Sequence, residues 1–146
     1  MFNLIIKYYK NFYIIIPYLP SITSLLFISP VVFLFINKKN VNIYLSFILF
    51  CMSIFSFLFW LNPIRYSLKH LIDKCFAIFT IITFILYNLF IRKKDIIFLL
   101  INLIIMFLFF YLSNYYSRKK WCCNIHIFFH LLAHIFAIIC SYFTLI

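Results

Sequence analysis

The positions of the charges constrain this chain more than any other feature of its sequence. Thirteen Lys and Arg residues and two acids, Asp73 and Asp95, cut it into five uncharged runs, 11–37, 40–64, 75–91, 96–117 and 121–146. A helix needs roughly 20 residues to cross about 30 Å of hydrocarbon, and four of the runs are long enough. The third is short, so its helix is expected to begin earlier, near Pro63 to Ser67. It would then carry Lys69, His70, Asp73 and Lys74 in its first turns. Lysines there can snorkel to the head groups, whereas an aspartate is too short to do so easily. The pattern predicts an all-α fold, a polytopic transmembrane bundle of about five spans. The spans are placed at 12–36, 41–61, 66–91, 96–116 and 121–145, and the chain 1–146 forms a single domain with short connections.

Composition closes off the alternative. Hydrophobic residues make up 68% of the 146-residue chain and charged residues 10%, against roughly a quarter charged in soluble domains. Too few charges remain to cover a water-facing surface. The net charge of +11 would point to nucleic acid in a soluble protein. Here the basic residues flank apolar runs, as membrane loops do, so membrane lipids and not nucleic acid are the expected partners. Eight Lys/Arg fall on the N-terminal side of the bundle and five on the other, which predicts an integral, multi-pass protein with its N-terminus in the cytoplasm.

Smaller features fit this frame. Five cysteines, an odd number mostly inside apolar runs, do not make a disulfide framework. Pro17, Pro20 and Pro30 predict a kinked or late-starting first helix. Trp60 and Trp121 sit at run ends, where interfacial anchors belong. Cys122 and Cys123 follow a basic cluster, a setting in which cysteines are palmitoylated. Asn88 and Asn102 are candidates for hydrogen bonds between helices. Asp95 reads as a solvated loop charge, and 1–11 is either the start of the first span or a flat amphipathic helix.

All four histidines belong to two helices. His70 opens the third, while His126, His130 and His134 open the fifth and form a stripe about 80° wide. Odd-numbered helices run parallel, so the two groups lie at similar depth. Ser67, His70 and Asp73 are spaced three apart. Two histidines at i, i+4 with a third from another helix make a common zinc arrangement with one open position; Cys123, three residues before His126, is an alternative ligand. The three alanines, Ala77, Ala133 and Ala137, lie near the same faces, and small residues let membrane helices approach. Helices 3 and 5 are therefore expected to touch. The plainer reading makes the histidines interfacial side chains and Asp73 a partner of the helix macrodipole.

Ser67-x₂-His70-x₂-Asp73, followed by His126-Ile-Phe-Phe-His130, resembles the membrane hydrolase superfamily of alkaline ceramidases and progestin/adiponectin-type receptors. That superfamily has seven spans and binds zinc through three histidines. The resemblance implies zinc held by His70, His126 and His130, with His134 as a further ligand. It also implies Asp73 as general base, Ser67 as oxyanion stabiliser, and hydrolysis of a lipid amide or ester. Two other readings stand beside it. One is a non-catalytic multi-span scaffold or assembly protein; the other is a haem-binding bundle with His70 and a histidine of helix 5 as axial ligands.

Overall fold

The computed structural model describes residues 18–40, 42–92 and 96–145. It is helical, and five helices are long and apolar enough to cross a bilayer: α1 (Leu19–Ile36), α2 (Ile43–Trp60), α3 (Leu68–Arg92), α4 (Ile96–Lys119) and α5 (Asn124–Leu145). The expected all-helical architecture with five apolar helices of spanning length is thus present. The part of span 1 expected at 12–17, the segment 1–11 and Asp95 lie outside the described residues.

Local chemistry sets the ends. Asn42 caps α2 by accepting from the Leu45 N–H at 3.2 Å, and Ser67 caps α3 by accepting from the His70 N–H at 3.2 Å. Each satisfies one of the orphan donors of a helix start. In α1 the α-helical turns stop at Leu25 and resume at Ser29, with a 3₁₀ turn over Leu26–Ile28 between them. Pro30 has no N–H to give the Leu26 carbonyl, and the Ser29 hydroxyl donates to that oxygen at 2.6 Å instead. The prolines' effect on the first helix is thus this 3₁₀ turn, which lies one turn before Pro30. At the far end of α3 a π-helical turn covers Asn88–Arg92.

The helices pack α3 on α2, α2 on α1, α1 on α5 and α5 on α4, with α4–α5 the closest pair. The expected contact between α3 and α5 is present but confined to a short stretch. Ala133 is buried, whereas Ala137 borders an apolar cluster of Leu99, Leu103, Met106 and Cys140 that Ile81 and Ile85 of α3 also touch. A second cluster, Leu34, Leu45, Leu49, Phe84 and Leu145, fills the end of the bundle where α1, α3 and α5 finish. Between the clusters lies a cavity of about 40 Å³ lined mainly by aliphatic side chains.

Candidate functional site

The opposite end of the bundle, where α1, α3 and α5 begin, holds the polar groups. Two histidines there serve the backbone. His70 Nδ1 accepts from the Tyr66 N–H at 3.2 Å, and His126 Nδ1 accepts from the Cys122 N–H at 3.2 Å. In both cases the donor lies four residues upstream and has a left-handed backbone, with φ of 61° at Tyr66 and 53° at Cys122. The same device starts α3 and α5. It turns the entering chain back so that a histidine in the first helical turn takes an N–H outside the helix, close in logic to a capping box. An imidazole that accepts at Nδ1 carries its proton on Nε2.

The rings of these histidines are wrapped in aromatic side chains. His70 stacks on Phe59 with ring centres 4.9 Å apart and meets Trp121 edge-on at 5.5 Å. Trp60 lies 6.0 Å from His126 and 4.6 Å from His130. Trp60 is only 1% exposed, so it is an interior wedge and not the interfacial anchor its position at a run end suggested. Trp121 is half-buried, and its indole N–H donates to the Pro63 carbonyl at 2.8 Å, tying the α2–α3 connection to the α4–α5 connection.

His130 and His134 stand deeper along α5, their ring centres 4.6 Å apart. His134 Nδ1 lies 2.9 Å from the Thr23 hydroxyl, which links the last helix to the first. Ser113 donates to the His126 carbonyl at 3.3 Å, and its oxygen is 3.5 Å from His130 Nδ1. With its one proton committed to the His126 carbonyl, Ser113 is able to accept from His130 Nδ1, in the tautomer that leaves a lone pair on Nε2. That nitrogen is buried without a hydrogen-bond partner, as is the indole N–H of Trp60.

Asp73 belongs to a separate group. Its carboxyl lies beside Ser56 of α2, whose oxygen is 2.9 Å from the Ser24 hydroxyl of α1. Ser53 donates to the Ser24 carbonyl at 2.7 Å. Ser67, expected at the oxyanion, is instead the cap of α3. The four histidine rings thus run in a chain from the start of α3 and α5 into the bundle, while Ser67 is committed as a cap and Asp73 lies beside Ser56.

Zinc bound at a histidine Nε2 requires the other ring nitrogen to carry the proton and donate it. His130 meets that requirement. His70 and His126, as placed, do not, because a backbone N–H already occupies each Nδ1 lone pair. Among the described residues no group of three or more His, Cys, Asp or Glu side chains is drawn together to hold a metal ion. All five cysteines are unpaired thiols. Burial, with neighbouring Cys123 as the lesser cause, pushes the Cys122 thiol up to about 11.

Residues that the sequence alone did not single out complete this end: Phe59, and the hydroxyl pairs Ser21/Ser24, Ser53/Ser56 and Ser113/Ser117. Each pair recurs at three or four residues, so each marks one helix face. All six serines are buried, and helical spacing of small residues in an apolar run is the signal that could have found them. No protein-family model, curated protein or solved structure matches this chain.

Proposed function

We propose that this chain is a non-catalytic multi-span membrane protein, a scaffold or assembly element of its bilayer, in which the histidine–aromatic cluster fastens five helices at one end. One observation carries the reading. The Nδ1 atoms of His70 and His126 accept backbone N–H groups at two helix starts, so both imidazoles are committed to building the fold. The N-terminus is assigned to the cytoplasm on the excess of Lys and Arg at that end.

A zinc-dependent lipid amide or ester hydrolase, of the kind the ceramidase-like motif implies, is the second reading. What favours it is His130, with its Nδ1 toward Ser113 and an unpartnered, buried Nε2. That reading requires His70 and His126 to release their backbone donors and Asp73 to leave Ser56.

Elemental analysis of the detergent-purified chain separates the two. The scaffold reading expects no stoichiometric zinc, and substitution of His130 by Ala that changes stability without changing metal content. About one zinc per chain, lost when His70, His126 and His130 are replaced together by Ala, would overturn it. A Soret band in the purified protein would instead point to haem.

A further inference from the structure

The end of the bundle that carries the histidines also carries a concentration of positive charge with little to neutralise it. Arg65, Lys69, Lys74, Arg118, Lys119 and Lys120 all lie there, and all but the half-buried Arg65 are exposed. The chain has only two acids. Asp73 is turned to Ser56, and Asp95, between α3 and α4, lies outside the described residues. The cations at this end rest on aromatic faces. The Arg65 guanidinium is 4.7 Å from the centre of the Tyr66 ring and 5.6 Å from that of Trp121, and the Lys119 ammonium is 4.4 Å from that of Tyr115.

The fold brings these charges together. The Trp121–Pro63 hydrogen bond holds the α2–α3 connection, with Arg65, against the α4–α5 connection, which Lys120 and Trp121 open. Two basic segments separated by more than fifty residues are thereby brought to neighbouring connections, joined through one indole, where like charges repel. A cation over an aromatic face keeps its full charge and its outward hydrogen-bond donors. In a bilayer-spanning chain this end meets the head-group layer, and tryptophan and tyrosine are the residues that settle there.

We infer that Arg65, which lies over Trp121, together with Lys119 and Lys120, which immediately precede Trp121 in the chain, forms a site for the phosphate of an anionic phospholipid head group. A phosphodiester suits the arrangement because guanidinium can hold it by two hydrogen bonds while ammonium groups act as point charges. The inference goes beyond the scaffold reading and does not depend on it, since it uses none of the histidines and holds with or without metal.

The test uses tryptophan fluorescence of the full chain in phosphatidylcholine vesicles that contain a small fixed fraction of brominated lipid. There are only two tryptophans, and buried Trp60 is shielded, so contact quenching reports Trp121. Brominated phosphatidylglycerol is expected to be enriched around Trp121 at least about fivefold over brominated phosphatidylcholine, the equivalent of about 1 kcal/mol from one nearby cation. Raised salt should diminish the difference. Replacing Arg65, Lys119 and Lys120 together by Gln should abolish it, whereas Lys38→Gln with Lys39→Gln at the other end should not. Equal quenching by the two lipids in the parent protein, or a preference that survives the triple substitution, overturns the site. Equal loss from the Lys38/Lys39 pair overturns its location. Native mass spectrometry of phosphatidylglycerol retained by the same variants gives a second readout that does not rely on fluorescence.

Discussion

The two ends of the bundle are built on different principles. Where α1, α3 and α5 finish, Leu34, Leu45, Leu49, Phe84 and Leu145 pack together, and one hydrogen bond between helices, Asn88 to Thr144 at 2.6 Å, supplements them. Where those helices begin, serines, a threonine, an aspartate and four histidines are interleaved with Phe59, Trp60 and Trp121. In lipid, aliphatic packing gains little over contact with acyl chains, so shape and hydrogen bonds decide which helices associate. The difference teaches that the polar end carries most of the specificity of assembly, while the aliphatic end is generic filling.

The contrast can be broken by mutation, and the largest effect is expected at Trp60. Trp60→Ala removes the wedge between α2 and the histidines and should cost about 3 kcal/mol. Leu49→Ala, equally buried at the other end, should cost about 2 kcal/mol, because leucine leaves the smaller void. Reversible unfolding in mixed micelles measures both, and a larger loss at Leu49 would reverse the ranking of the two ends. Ser67→Ala, which deletes the cap of α3, should cost about 1 kcal/mol, and Ser67→Asp should restore the loss. Asn88→Leu should cost about 0.6 kcal/mol, the average for hydrogen bonds between helices in membranes. A loss above that of Ser67→Ala would mean the aliphatic end depends on polar contacts as well.

The smallest effect is chemical. With its pKa raised to about 11, the Cys122 thiol stays protonated through neutral pH, and its thiolate is only about one part in a thousand at pH 8. Alkylation of Cys122 should therefore be slow at pH 8 and accelerate about tenfold per pH unit, levelling near pH 11. Mass spectrometry of iodoacetamide-treated protein measures this. Rapid modification at pH 8 would show that the turn before α5 is more open than its burial implies.

The helices were legible in the sequence because charge spacing and the length needed to cross a bilayer act on every residue. The irregular turn before Pro30 and the early start of α3 could be read for the same reason, since both follow from backbone chemistry that neighbours in sequence control. Asn88 and Asn102 show where such reading stops. They are alike in the sequence, yet Asn88 reaches Thr144 while Asn102 donates only to the Phe98 carbonyl of its own helix at 2.9 Å. Which asparagine finds a partner depends on the rotation of two helices, and local pattern does not encode that. The histidines present the same difficulty. Spacing places them on one side at one depth, but whether Nδ1 faces a backbone N–H or open space is set by the turns at Tyr66 and Cys122. Those turns adopt left-handed backbone without glycine, which the chain lacks altogether, so no residue type announces them.

The contact between Thr23 and His134 spans 111 residues of sequence, and its consequence belongs to biogenesis. At a translation rate of about 5–20 residues per second, the ribosome needs roughly 6–22 seconds after making the threonine to supply the histidine. Once α1 has left the ribosome, the surface meant for α5 stays uncovered for the rest of that interval. The bundle therefore closes only when its last helix arrives, and a chain that stalls or is cut before α5 presents that open seam to whatever monitors incomplete membrane proteins.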